Sequence, residues 1–311
     1  MVWFNAMENK VKLSPIVLFV YNRPWHTQQT INALHKNKLA DQSHLVIYSD
    51  GPKSQHDQKC VDEVRKFTKT IEGFKSIKVI ERDKNWGLAD SIIDGVTKIV
   101  NKYGKVIVLE DDIVTSQYFL KYMNEALDFY NDEEKVMHVS GYLYPIENSN
   151  LPESFFLRMM LCWGWGTWKR SWKYFNRDID TIMGKITAKD IYRLNVEDSY
   201  NYWSQFESNA RGKIKTWAIF WYISVFTKNG LCLHPSCSMT LNIGHDGSGV
   251  HSGISNSYES VLAQKPIEFF TQEISENKEA VIRIKEFYKK TFGSYFKKIY
   301  YMFKLLINKV S

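Results

Sequence analysis

The sequence predicts an α/β protein: a mostly parallel sheet flanked by helices, with a helical tail at the C-terminus. Three observations carry that expectation. Short apolar runs rich in β-branched residues recur at 15–21, 44–49, 77–80 and 106–109. They are too short for core helices and too continuous for half-exposed strands, as buried parallel strands are. Between them lie segments with apolar residues at helical spacing, and strand–helix alternation of this kind builds a parallel sheet with helices on both faces. Each run also ends in polar or glycine-containing residues: Asn22-Arg23, Asp50-Gly51, Asn85 to Gly87, and Glu110 to Asp112. In a parallel sheet those ends share one edge, and open α/β sheets bind ligands there.

In chain order, residues 1–13 read as a loose leader. Pro15 to Tyr21 is a strand closed by Asn22-Arg23-Pro24, and Thr27 to Lys36 a helix with Thr27 near its cap. His44 to Ser49 is a second strand, stopped by Asp50-Gly51-Pro52. Residues 56–71 carry Val61, Val64, Phe67 and Thr68 at helical spacing. Ile77 to Ile80 is a third strand, and Ala89 to Tyr103 a helix with Ile92, Ile93, Val96, Ile99 and Val100 on one face. Beyond residue 135 the alternation fades. Val136 to Tyr142 reads as a strand and turn, 178–215 is polar and mixed, and Lys215 to Thr227 is an apolar, aromatic helical segment.

The most informative stretch is Val106-Ile107-Val108-Leu109 followed at once by Glu110-Asp111-Asp112. Three adjacent acids at a strand end repel one another unless a cation or several donors share the site. A hard divalent ion held by one or two carboxylates, with substrate phosphates in its other positions, meets that need. The competing reading is an acidic helix start in which Asp112 caps a segment from Ser116 onward.

Composition is that of a globular protein, 44% hydrophobic and 24% charged, with a high aromatic share of 15%. The net charge of +7 is not spread evenly: residues 281–311 hold eight basic residues against one acid, Glu286. The basic character therefore belongs to the tail, which argues against a nucleic-acid-binding face on the body. Cys60, Cys162, Cys232 and Cys237 form no zinc-type pair of pairs and read as free thiols of a reducing compartment. There is no signal-peptide pattern and no run of ~20 apolar residues. No Gly-rich dinucleotide or P-loop fingerprint is present, so neither NAD nor ATP is supported by those routes. The chain is expected to be cytoplasmic.

Three further segments each admit two readings. Cys162 to Trp168 places three Trp around glycines, either a stacking surface for a sugar or a turn with core Trp. Asn242 to Gly253 surrounds His245, Asp246 and His251 with Gly and Ser, either a loop that closes over substrate or a solvated linker. The aromatic, lysine-rich tail is either an amphipathic helix on an anionic membrane surface or a helix packed on the body.

With these residues in view, the chain resembles the nucleotide-sugar glycosyltransferases of the GT-A (Rossmann-like) fold. The resemblance is to bacterial family-2-like sugar transferases and to the N-acetylglucosaminyltransferase I type. It rests on Phe19 to Pro24, Asp50-Gly51, Asn85 to Leu88, Glu110 to Asp112, Gly164 to Trp168 and Asn242 to Gly249, in the family's order. It covers about 14–255, divided into a nucleotide-binding half, 14–135, and an acceptor and sugar half, 136–255. Residues 256–311 are then a helical extension.

The resemblance implies that Asp112 binds Mn²⁺ or Mg²⁺ bridging the donor diphosphate, with Asp111 near the ribose and Glu110 near the donor sugar. It places Asn22, Arg23 and Asp50 around base and ribose, and Arg82, Asn85 and Gly87 on the nucleotide side. Trp165 and its neighbours would line the sugar and acceptor pocket, with His245 and His251 closing over the diphosphate. It implies a hexosyl- or N-acetylhexosaminyltransferase using a nucleotide-sugar donor, UDP-sugar favoured, and a glycan or lipid-linked acceptor. Bacterial surface polysaccharide or glycoconjugate synthesis, with inversion, is the implied setting; the membrane reading of 281–311, where it holds, makes the chain peripheral on the inner membrane face.

Inversion needs a general base for the acceptor hydroxyl. Where the acetylglucosaminyltransferase type has an acid, this chain reads Lys215 to Trp221, so Asp246 or Glu207 are the candidates. A sugar nucleotidyltransferase is disfavoured because Asn22-Arg23-Pro24 stands in place of a Gly-rich phosphate loop. A catalytically silent glycan-binding or membrane-scaffold protein is the rival of another class, supported by the missing acid near Ala218 and opposed by the intact acidic triplet.

Overall fold

The computed structural model describes residues 13–247 and 257–307, the side chains of 294–307 excepted. Residues 1–12, His251 and the rest of 248–256, and 308–311 lie outside the described residues.

The chain opens with β1 (Ile16–Val20), α1 (Pro24–His35), β2 (His44–Ser49), α2 (Gln55–Thr68), β3 (Ser76–Glu81), α3 (Leu88–Tyr103) and β4 (Lys105–Glu110). This is the expected alternation. α1 begins at Pro24, earlier than the Thr27 expected, because proline's fixed φ and missing N–H suit the first helical position. α2 starts on a capping box between Ser54 and Asp57.

The short strand β5 (Ile113–Thr115) follows the acids, so Asp112 does not cap a helix from Ser116; α4 runs Phe119–Phe129. Then come β6 (Val136–Ser140), β7 (Ser154–Leu157), β8 (Trp165–Trp168) and α5 (Lys169–Trp172). The polar stretch 178–215 holds three short helices, α6 (Ile179–Met183), α7 (Ala188–Leu194) and α8 (Trp203–Ala210). α9 (Ala218–Thr227), β9 (Leu231–Pro235), β10 (Thr240–Asn242) and α10 (Lys278–Ile307) complete the chain.

Eight strands form one sheet in the order β3-β2-β1-β4-β8-β6-β9-β7. β3, β2, β1 and β4 are mutually parallel; β8 enters antiparallel between β4 and β6. β6 and β9 are parallel, and β7 closes the far edge antiparallel. The segment around Trp165 is therefore a central strand and not a free turn.

Strand periodicity splits the core into two layers. Val17, Phe19, Val46, Tyr48, Val106 and Val108 face Ile92, Val96 and Ile99 of α3. Ile16, Leu18, Leu45, Ile47, Ile107 and Leu109 face α1, α2 and α4 through Leu34, Val64, Leu120 and Leu127. Every position on β1 is buried, which is why its sequence is apolar without alternation.

The first turns of α10 pack on the body. Ala280, Ile284 and Tyr288 are buried in the core, and the Tyr288 hydroxyl lies 2.6 Å from that of Tyr202. No described helix is long and apolar enough to cross a membrane. All four cysteines are free.

Candidate active site

The site is built where β1 and β4 end side by side, with Phe19 paired to Glu110 in register. Arg23, the N-cap of α1, turns back across that boundary. One of its guanidinium nitrogens, Nη2, bonds Asp111 Oδ1 and lies 2.8 Å from Asp112 Oδ2. Thr30, two turns along α1, donates to the Asp111 carbonyl at 2.8 Å. Both aspartates are buried.

Three carboxylates against one guanidinium leave an excess of negative charge. Burial first, and then Asp112 and Asp111, push the Glu110 carboxyl up to about 8. Burial and Asp112 outweigh the opposing pull of Arg23 and raise Asp111 to about 6. Burial works against the Arg23 charge, but Asp111 and Asp112 more than reverse that and hold it firmly protonated.

A second layer arrives from far along the chain. β10 pairs antiparallel with β5, and the Ile243 N–H donates to the Asp112 carbonyl at 2.9 Å. This lays 242–247 over the acids. A Cβ on Gly244 would collide with Asp112 Oδ2 and stand 2.9 Å from Arg23 Nη1, so glycine is what permits the close approach. Asp246 Oδ2 then meets His26 Nε2 at 3.0 Å. The His245 ring sits against Trp163 and Tyr258 at 5.2 and 5.3 Å, and its Nε2 is buried without a hydrogen bond among the described residues.

The ends of β2 and β3 are stitched together beside this centre. Asp50 Oδ1 accepts from the Gly51 and Trp86 N–H groups, and Oδ2 accepts from Gly87. Asn85 donates to the Gly51 carbonyl at 2.9 Å, and Asn22 to Asp57 at 3.0 Å. Gly87 has φ +76°, a left-handed conformation that favours glycine, and it caps α3. Arg82 is buried, ion-paired with Asp94, with its guanidinium 3.8 Å from the Trp86 ring centre.

The fold thus brings Asn22, Arg23, Asp50, Arg82, Asn85, Gly87, Glu110, Asp111, Asp112, His245 and Asp246 to neighbouring strand ends and the segment covering them. Others fall elsewhere. Trp165 is fully buried, stacked on His138 and Trp217 at 5.3 and 5.0 Å, so it offers no surface to a ligand. Its neighbour Trp163 is half-buried beside His245; it lies before β8, and Gly164 between the two Trp, at φ +71°, turns the chain before the strand begins. Glu207 lies on α8, paired with Arg211 at 3.4 Å. His251 lies outside the described residues.

Sequence reasoning passed over His26, whose signal was its position three residues after Arg23, on the same helical face. It also passed over Cys162, whose thiol is raised by burial and by the nearby Glu110 charge.

Among the described residues, no three His, Cys, Asp or Glu side chains form a ready-made metal cage. That does not suit an ion held by protein alone. The surplus negative charge at Glu110 to Asp112 does suit a divalent ion held by one carboxylate and completed by substrate phosphate oxygens. Asp112, under Gly244, is the residue that fits.

No protein-family model matches the chain, and no curated protein matches it. Solved structures similar to it include S. aureus TarS, at 18% identity and TM-score 0.29 over 44% of this chain and 22% of that one. Residues 1–349 of the same TarS align at 11% identity and TM-score 0.37, over 73% of this chain and 59% of that one. The mannosyltransferase PcManGT from Pyrobaculum calidifontis, in complex with GDP-Man and Mn²⁺, aligns at 9% identity and TM-score 0.38, over 71% and 73%. The chain thus spans about a fifth of TarS and under two thirds of its 1–349 fragment. Likeness at this level identifies neither family nor activity.

Proposed function

We propose that the chain is a metal-dependent glycosyltransferase that moves a sugar, with inversion, from a nucleoside-diphosphate donor to a hydroxyl of a glycan or lipid-linked acceptor. UDP-sugar is the favoured donor, and surface polysaccharide or glycoconjugate synthesis the favoured setting. One observation carries this reading: Arg23, Asp111, Asp112 and Gly244 converge between β1 and β4. The sheet order reverses there, and open α/β sheets bind ligands in that crevice.

Asp112 would hold Mn²⁺ or Mg²⁺ jointly with the donor diphosphate, and the ion supplies Lewis-acid neutralisation of the charge that grows on the departing oxygen. Arg23 orients Asp111 and Asp112 and adds a fixed positive charge beside that oxygen. Gly244 lets the backbone of 242–247 come close enough to exclude water over the reacting atoms. The acceptor hydroxyl attacks the anomeric carbon as the bond to diphosphate breaks, and Asp246 takes the hydroxyl proton. Asp246 is preferred to Glu207 because its pairing with His26 ties it to α1 close to Arg23, whereas Glu207 is paired with Arg211 on α8.

The test is a thermal-shift screen of UDP- and GDP-sugars with and without Mn²⁺. Binding to the native state alone raises stability by about 2.7 kcal/mol at a hundred times Kd. One donor should raise Tm only when Mn²⁺ is present. The reading fails if no nucleotide sugar moves Tm under any metal condition.

A further inference from the structure

We propose that Trp86 is the tile on which the donor's nucleobase stacks, an inference that rests on the nucleotide-sugar reading above. Trp86 is one of the chain's exposed large aromatics, 37% accessible, yet it is held in place from two directions. Its backbone N–H donates to Asp50 Oδ1 at 2.9 Å. Its ring lies 3.8 Å from the guanidinium of Arg82, which is buried and ion-paired with Asp94. The same guanidinium lies 5.0 Å from the ring of Tyr48, and Tyr48 stacks on Phe19 at 5.4 Å and 17°. A continuous pile thus runs from the core layer at Phe19 through Tyr48 and Arg82 to an indole at the surface.

An aromatic fixed in this way loses little freedom when a flat ring settles on it, so its exposed surface is pre-organised for binding. Its position selects the occupant. Asp50, which anchors Trp86, ends β2, and β2 is two strands from β4 in the sheet. Two strand spacings are about 10 Å. A diphosphate at Asp112 would therefore carry its base to the Asp50–Trp86 corner, and its sugar away from it. Trp163 and His245 approach the acids on the other flank, through β10, and are placed for the sugar side. An aromatic tile accepts any base because every base has a π-face, so Trp86 supplies affinity for the nucleoside and Asp50's surroundings supply choice among bases.

Isothermal titration of the 311-residue chain with UDP, GDP and inorganic pyrophosphate, each with Mn²⁺, separates base stacking from phosphate binding. Trp86→Ala should weaken UDP and GDP roughly fivefold to a hundredfold, the range of losing one base–aromatic stack. Pyrophosphate affinity should not change, and Trp86→Phe should retain most of the nucleotide affinity. Unchanged UDP and GDP affinity in Trp86→Ala overturns the inference and leaves the donor reading standing. An equal loss for pyrophosphate also overturns it, because the indole would then act only through the loop that Asp50 holds. If the wild-type protein binds none of the three, the donor reading fails and this inference with it.

Discussion

His26 Nε2 and Asp246 Oδ2 lie 3.0 Å apart although 220 residues separate them in the chain. The pair joins the first turn of α1, which carries Arg23, to the segment that covers the acids. On the proposed function, Asp246 is the acid that takes the acceptor proton and His26 the residue that positions it.

Asp246→Asn is expected to lower turnover by about a hundredfold or more, the scale of general-base catalysis, with donor affinity kept. His26→Ala should lower turnover less and shift its pH profile, because Asp246 loses its orienting partner. Glu207→Gln should change neither. Steady-state rates alongside donor titrations check all three; wild-type turnover in Asp246→Asn removes it as the base.

Arg23→Ala leaves Asp111 and Asp112 facing each other without their cation. Removing one partner of a largely buried ion pair costs about 3 kcal/mol. Because Arg23 and Asp111 keep some exposure, the loss should fall at or below that value. Urea unfolding measures it, and Asp112→Asn added to Arg23→Ala should recover part of the loss, as coupled sites do. Strict additivity would mean the contact carries no energy.

Two buried histidines should contribute stability that is lost on mild acidification, opposed over part of the same range by Glu110 and Asp111, whose raised carboxyls take up protons more readily folded than unfolded. Burial holds His138 near 3 and His234 near 4, against about 6.5 when unfolded. Trp221 donates to His138 Nδ1 at 3.1 Å, and Nε2 meets the Leu161 carbonyl at 3.0 Å, so the neutral ring uses both nitrogens. Below about pH 6.5 the unfolded chain takes up protons that the folded chain refuses. The histidine contribution is therefore complete above that pH and declines as pH falls from 6.5 toward 4. Denaturant midpoints of wild type and His138→Gln at pH 7.5 and pH 5 isolate it: the variant should lose less, or gain more, on acidification than the wild type. Identical shifts in the two proteins contradict it.

The tail separates into two parts that truncation can tell apart. Deletion from Lys278 should destabilise the body, because Ala280, Ile284 and Tyr288 are core residues. Deletion after Gly293 spares them and removes Lys297, Lys298, Lys304 and Lys309. It should weaken binding to phosphatidylserine vesicles, by about 1 kcal/mol per lysine at the surface. Equal vesicle binding by both lengths would remove the membrane role.

The alternation of buried runs with helical spacing was enough by itself to define the parallel half of the sheet, and the acids after Leu109 to mark the edge where its strands end. Those features are local: period, burial and turn residues are written within a few positions of one another. What only the tertiary structure decided is long-range. Insertion of β8 between β4 and β6 buried Trp165, while the turn at Gly164 left Trp163 beside His245. Pairing of β10 with β5 chose Gly244 to lie on Asp112 and Asp246 to meet His26, and packing of Tyr288 against Tyr202 tied α10 to the body. A single chain carries no spacing rule for such partners, because their contact depends on which strands pair and which faces close, and that follows from the free energy of the whole fold.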